Sequence, residues 1–539
     1  LKYSYGKYAT TIKHIINLQK IMADTTLAIK TIKNSILNLV SFLVGLAINF
    51  YLLRYVVAQI GIDSYGISAL LLVIVQPLTL ANLGFGEATT KYVSEFIHLG
   101  DYASAASYIR TTFFMNLVVG FIGFMLIFFG GQYIFFLFFG DNIRPELNEI
   151  ISVSIRLVAF GWLANQCSAS FMGIPVALQR FQMVATGNIL SLTTTAILTY
   201  IILQYENNLF GYTLGTIGGQ ICTFLYWFII AKILLPSVNL SPKIHKEAWR
   251  KSFHYGGWQT LAQIGGILTQ QAERFILGLY LTAASVGIYN VAQNIESKIY
   301  SIVYKLSEVL FPTFSALSND SYERKANILI KSSWILTTLA VCLLCSIIPV
   351  AHPLINLWMK NVMIANDGEI LLQTMCVAGA IGSATSAGYF FLLGVGKTQK
   401  ITYISVISGV VNVAAAMFII PKYGLKGAGF SVLLAALSQL ISISRVMHTA
   451  VKNTIPLSAV ISAVVVPILI GISWASLYTF FQPYLIQGWI DLLLVYLFMI
   501  VSSLILIFLI TRLLPYGKEH EELFFKLFAH VANKIKQLK

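Results

Sequence analysis

The sequence predicts an all-α integral membrane protein of about fourteen transmembrane helices, arranged as two related lobes. Three observations carry that expectation. Apolar residues make up 57% of the 539 residues against 11% charged, at a mean hydropathy of +0.78, far above the balance of a soluble globular chain. Apolar runs of roughly 20 residues, long enough to cross a bilayer, recur fourteen times between polar, glycine or proline breaks. A unit near the N-terminus also returns about 220 residues later: Arg54 is echoed by Arg274, Tyr65-Gly66-Ile67 by Val286-Gly287-Ile288, and Gln179-Arg180 by Gln399-Lys400. Internal repeats in a hydrophobic chain point to a transporter with its site between the repeats, near mid-membrane.

Taken in order, the spans are expected at 35–57, 66–84, 111–130, 149–172, 183–203 and 211–231 in the first lobe. The second lobe follows at 255–281, 285–311, 332–350, 369–393, 401–420 and 427–444, and two further spans lie at 456–480 and 489–511. The first run lacks a small-residue cleavage site and is long enough to stay as an anchor. The seventh and eighth are the least apolar. The expected organisation is an N-terminal cytoplasmic segment at 1–34, a first lobe at 35–231, an inter-lobe cytoplasmic loop at 232–254, a second lobe at 255–450, two extra helices at 451–511 and a basic amphipathic tail at 512–539. The longest connection, Phe85 to Arg110, reads as a loop of about 26 residues, too short for an independent domain.

Lys and Arg set the orientation. With the N-terminus in the cytoplasm, 27 of the 36 basic residues fall on inside segments, 4 on outside loops and 5 within spans, so both termini are expected inside. In the tail, Leu523, Leu527, Val531, Ile535 and Leu538 share one face and Lys518, Lys526 and Lys536 another. That pattern suits an interfacial helix on an anionic leaflet, with a plain solvated tail as the alternative.

Several function classes are excluded by pattern. The net charge of +15 is spread along the chain between apolar runs, without the basic face that a phosphate backbone needs, so no nucleic-acid partner is expected. All five cysteines (Cys167, Cys222, Cys342, Cys345, Cys376) fall within spans, which argues against a disulfide framework or a zinc site. The eight histidines are scattered, and there is no Ser/His/Asp set, Rossmann fingerprint or P-loop. The chain therefore reads as no enzyme, with no cofactor, and any transport is driven by an ion gradient, the membrane potential or the substrate's own gradient.

Charge within a span costs roughly 2.5–3.5 kcal/mol on insertion scales, so each instance is a candidate site. Gln263, Gln270 and Arg274 fall at i, i+7 and i+11, within about 40° of one another on a helix, with Gln259 close by. Such a stripe lines a water-filled cavity or a polar contact with a neighbouring helix, and its number of donors favours the cavity. In the eighth span Asn294, Lys298 and Lys305 share a face. Lys298 there needs water or an anion, whereas Lys305 and Glu308 read as an ordinary i, i+3 pair near the cytoplasmic end. Arg54 and Arg156 either face the cavity or snorkel to an interface. Glu273 and Glu296 are the central acids and the candidates for ion coupling.

Four features carry a family resemblance: Arg54 with Gly61 and Tyr65-Gly66; Leu83-Gly84-Phe85-Gly86-Glu87-Ala88; Pro312 closing the eighth span; and Tyr423-Gly424-x-x-Gly427. Together they resemble the Wzx group of O-antigen and polysaccharide-repeat flippases in the MOP (multidrug/oligosaccharidyl-lipid/polysaccharide) exporter superfamily, over nearly the whole chain. The resemblance implies two six-helix lobes plus two C-terminal helices, around a cationic cavity that opens alternately to cytoplasm and periplasm of the bacterial inner membrane. It implies an undecaprenyl-diphosphate-linked oligosaccharide as substrate, membrane lipids around it, and a polysaccharide polymerase and chain-length regulator as partners. The chain departs from the group at Asn82-Leu83-Gly84, where members often carry Asp-Leu-Gly. Gln293 stands in the place of an arginine of the related lipid II flippases. The competing expectation is a cation-coupled multidrug antiporter of the same superfamily, which would use Glu273 and Glu296 and few basic residues. A membrane glycosyltransferase or polymerase would need a sizeable outward loop, which the spacing does not provide.

Overall fold

The computed structural model describes residues 40–82, 85–236, 238–317, 320–451, 454–481, 486–514 and 517. The segment 1–34, the basic tail from 518 onward, and Leu83-Gly84 of the resemblance motif lie outside the described residues. Within them, regular structure is helical throughout, with no strand.

Ten helices are long and apolar enough to cross a membrane. Two of these, Val40–Leu80 and Thr398–Thr449, are each broken at a left-handed glycine, Gly61 (φ +80°) and Gly424 (φ +61°), a conformation that L side chains adopt only with strain. Each is a hairpin of two spans. In the later one the hydroxyls of Ser408 and Ser438 come within 3.3 Å across the fold. In the earlier one, α1 (residues 40–75), Phe42 lies beside Lys305, while Ile62, just past the glycine, lies against Gly287. Counting each hairpin twice, and adding Lys246–Tyr280 and Ala283–Glu308, which are long enough but too polar to pass on apolarity, gives the expected fourteen.

After α1 and a 3-10 turn at Gln76–Asn82, the first lobe continues through α2 (Phe85–His98), α3 (Tyr102–Met125), α4 (Gly131–Phe139), α5 (Asn148–Ala177), α6 (Phe181–Leu203) and α7 (Leu209–Leu234). The segment expected to be the longest loop is thus largely helix. Its residues Phe85, Ala88, Thr89 and Val93 form a buried stripe, Glu87 sits in the first turn and His98 in the last, where each complements the helix dipole. The connection shrinks to Leu99, Gly100 and Asp101, which caps α3 by accepting from the Ser104 amide at 2.9 Å. Hydrogen bonds from Ser104 hold the exposed Asp101 carboxyl below the usual carboxylate range. In α7, Gly215 and Gly219 let the backbone approach Thr199 and Thr195 of α6: an added Cβ would lie 2.6 Å and 2.7 Å from their Cα atoms. Small residues at such crossings replace the hydrophobic drive that lipid does not supply.

The second lobe comprises α8 (Lys246–Tyr280), α9 (Ala283–Glu308), α10 (Leu310–Ala316), α11 (Tyr322–Leu344), α12 (Ala351–Met359), α13 (Val362–Gly394) and the hairpin α14 (Thr398–Ala450). It is followed by α15 (Leu457–Val460), α16 (Val466–Phe481) and α17 (Trp489–Thr511). The spans Tyr322–Met359 and Val362–Gly394 are 78% buried in their most apolar stretches, against 17% for Phe181–Leu203. The densest core therefore sits around α11 and α13. Between the lobes, the linker is pinned to α3 by Arg110, which donates to the Ser241 carbonyl and hydroxyl at 3.0 Å each.

The two lobes meet where the repeat glycines cross. A Cβ on Gly66 would lie 2.9 Å from the Gly287 amide nitrogen and would collide with the Ala283 carbonyl. One on Gly287 would come within 2.9 Å of the Ile62 side chain. Nearby, Asn142 of the first lobe donates to the Gly278 and Leu279 carbonyls at 3.2 and 2.7 Å, satisfying the last turn of α8 from across the interface. Phe138 and Phe139 stack edge-on against Phe275, with centroids 5.3 and 5.6 Å away. The interface is thus sealed at the Gly61 end.

Candidate functional site

Away from that seal, the polar residues of α8 and α9 open onto cavities. Arg274 donates to the Gln271 side-chain carbonyl at 2.9 Å and, by a short hydrogen bond, to that of Gln293 on α9. No carboxylate pairs with it among the described residues, and its Nε is buried without a partner. The guanidinium is therefore oriented by two neutral amides. It lines a cavity of about 460 Å³ together with Gln270, Glu296, Tyr300 and Gln439. Gly379 on α13 makes room for the Glu296 carboxylate, which a Cβ at that position would strike. Glu273 points away from this space and is fully buried. Ser431 donates to its Oε1 at 3.5 Å, while its Oε2 and the Oδ1 of Asn412 have no partner.

A second polar pocket of about 580 Å³ lies between α1, α6 and α9, lined by Ser41, Asn49, Asn188, Ser301, Lys298 and Lys305 among others. The expected Lys305–Glu308 pair does not form among the described residues. Lys305 instead lies over the Phe42 ring at 5.6 Å, because the facing α1 offers an aromatic face where periodicity along one helix showed only Glu308. Lys298, Asn49 and Asn294 also border a third cavity, about 570 Å³, otherwise walled by largely apolar side chains including Leu46, Phe50, Leu354, Trp358 and Tyr496. Trp358 stacks on Phe50 at 4.4 Å and donates to its carbonyl at 2.9 Å, fixing that wall.

The predicted residues are thus distributed unevenly. Gln270 and Arg274 share one cavity, and Lys298 lies at the junction of two others. Gln263 lines a separate cavity of about 270 Å³ in the first lobe, with Glu87, Thr90 and Asn116. Its eleven-residue separation from Arg274 spans about 16 Å of helix, over which α8 passes from one lobe to the other. Arg54 is half-buried on α1 and Arg156 exposed on α5, and neither lines these cavities. The Gln259 side chain lies outside the described set. Sequence reasoning passed over Gln271, Gln439, Asn412 and Lys305 as site residues. The first three are amides inside apolar spans, and that was the available signal.

Comparison with known proteins places this geometry. Residues 59–361 match the family described as polysaccharide biosynthesis protein. The chain is similar to a Shigella flexneri protein named as an O-antigen transporter, 22% identical over 408 residues that cover 74% of this chain and 93% of the relative. It is also similar to a Haloferax volcanii protein named as the flippase AglR, at 23% over 412 residues, 75% and 81% of the two chains. Among solved structures, the lipid II flippase MurJ in an inward closed conformation superposes with a TM-score of 0.67 at 16% identity, covering 88% of this chain and 98% of that one. An inward-facing MATE-family multidrug transporter of the MOP superfamily gives 0.60 at 14% identity, over 77% and 99%. At these identities the structures show the fold, which is that of the MurJ and MATE transporters.

Proposed function

The chain belongs to the polysaccharide biosynthesis protein family, and from that premise we propose that it is a flippase rather than an enzyme. It moves a polyprenyl-diphosphate-linked saccharide, an O-antigen or other polysaccharide repeat unit, from the inner to the outer leaflet of the cytoplasmic membrane. The observation that carries this reading is the junction at Lys298, where an apolar cavity of about 570 Å³ meets a polar pocket holding two lysines. An amphipathic substrate fits such a junction: a prenyl tail in the apolar part, the diphosphate at the ammonium groups through charge-assisted hydrogen bonds. A compact drug would fill one cavity and leave the other idle.

With both termini in the cytoplasm, as the basic-residue bias supports, the Gly61 end faces the periplasm. The sealed Gly66–Gly287 crossing then corresponds to the state that loads from the inside, and the lobes, at 35–231 and 255–450, part there to release. Arg54 and Arg156, which line none of the cavities, are assigned to the membrane interfaces, to which their side chains snorkel. Glu273 and Glu296 are the coupling candidates, Glu273 on the strength of its full burial and unpartnered Oε2. A polymerase and a chain-length regulator are the partners expected to consume the flipped unit.

The reading is tested by complementing a flippase-null strain while measuring drug resistance, for wild type, Arg274→Ala, Arg274→Glu and Glu273→Gln. Surface polysaccharide is expected with wild type and is reduced most by Arg274→Glu, which removes the cation and sets a second carboxylate beside Glu296 in a cavity of low effective dielectric. Resistance that rises with Arg274→Glu, with no polysaccharide from any strain, would establish the antiporter instead.

A further inference from the structure

We propose that the cavity at Arg274 and Glu296 holds the saccharide of the substrate, while the diphosphate is held at Lys298 and Lys305. The proposal rests on the flippase reading and adds which subsite reads the sugar. Charge separates the two pockets. Among the described residues, the lysine pocket has two ammonium groups and no carboxylate in its lining, which suits a group of about two negative charges. The Arg274 cavity contains Glu296 as well and is formally neutral, so a diphosphate entering it would meet a carboxylate.

Hydrogen-bond type separates them again. A phosphate only accepts, whereas each sugar hydroxyl both donates and accepts and so needs both kinds of partner. The Arg274 cavity offers both: the remaining terminal N–H groups of the Arg274 guanidinium as donors, the Glu296 carboxylate as acceptor, and the amides of Gln270 and Gln439 as either. Gln270, Gln439 and Glu296 all line this one cavity. Two of Arg274's five N–H groups are occupied by Gln271 and Gln293, which leaves the guanidinium fixed but still able to donate.

Connectivity fixes the order. Asn294 lines both the Arg274 cavity and the apolar groove. Lys298 follows one turn along α9, about 6 Å away by helical rise. A lipid lying in the groove with its phosphates at Lys298 therefore presents its first sugar beside Asn294, at the mouth of the Arg274 cavity.

The test measures binding to the purified full chain of two probe types: bare polyprenyl diphosphate, and the same lipid carrying one glucose, N-acetylglucosamine or glucuronic acid. Wild type should bind at least one glycosylated probe about tenfold tighter than the bare lipid. Gln270→Ala and Gln439→Ala should erase that preference and leave bare-lipid affinity unchanged, which also reports that they fold. Lys298→Ala should weaken all probes alike. Equal loss of bare and glycosylated binding in the glutamine variants, or a wild type indifferent to every sugar, would overturn the division of subsites while leaving the flippase reading in place. A wild type that binds none of the probes would remove the flippase reading and this proposal together.

Discussion

The hairpin of α1 and the pair α8–α9 are the two copies of the internal repeat, and they agree at the turn but differ along the shaft. Gly66 and Gly287 are each the fifth residue after their turns and touch one another. Twelve or so residues back, the echo of Arg54 is Arg274. Arg54 is half-buried with no hydrogen-bond or ion-pair partner among the described residues, while Arg274 is clamped by two glutamines above a polar cavity. Repetition thus supplies the mechanical contact, and divergence supplies the chemistry. A symmetric crossing suits lobes that rock against each other; a single asymmetric site suits a substrate with one head group.

The largest expected effect lies at the shared feature. Gly66→Leu and Gly287→Leu should each wedge the crossing open, at a cost of about 1–3 kcal/mol to the sealed state. That shifts its population roughly 5- to 150-fold. Export should collapse in both, and a cysteine placed at Gln270 should become reactive to an impermeant maleimide added from the periplasm. If only one glycine proves sensitive, the mechanical symmetry is wrong.

Next come the positions that should not match. Arg274→Ala should lower export roughly 10- to 150-fold, the range of a lost charged hydrogen bond, with Arg274→Glu lower still. Arg54→Ala should cost less than about twofold, the effect of a surface change. Export assays on the two alanine variants side by side decide this, and equal losses would mean that the first hairpin carries a site of its own. A smaller effect is expected from Arg274→Lys, which keeps the charge but lacks the planar fork needed to reach Gln271 and Gln293 together. Intermediate export, between wild type and Arg274→Ala, is the expected readout.

The same comparison shows what could be read from the chain. The fourteen spans were legible because run length is a one-dimensional property, and Gly61 marked its turn because few other residues accept that backbone. The helix at Phe85–His98 was missed because Glu87, Lys91 and Glu95 masked a buried stripe of the helical period. The Gln263–Gln270–Arg274 stripe is real as periodicity, yet its ends serve different cavities, since a helical wheel does not show that α8 changes neighbours midway. Lys305 went to the wrong partner for a related reason: Glu308 is near in sequence, whereas Phe42 is near only after two helices pack. Gln271 and Gln293 were invisible as a clamp because they lie on opposite sides of a turn, with Gln293 19 residues from the Arg274 it holds.

The most direct test of the account reconstitutes the protein in vesicles with a fluorescent polyprenyl-diphosphate-linked saccharide. Head groups reaching the opposite leaflet are then measured with an impermeant quencher. Wild type should equilibrate the lipid between leaflets far faster than protein-free vesicles, and the Lys298→Ala, Lys305→Ala double variant should fall back toward the protein-free rate. Wild-type vesicles no faster than empty ones, or a double variant as fast as wild type, would contradict it.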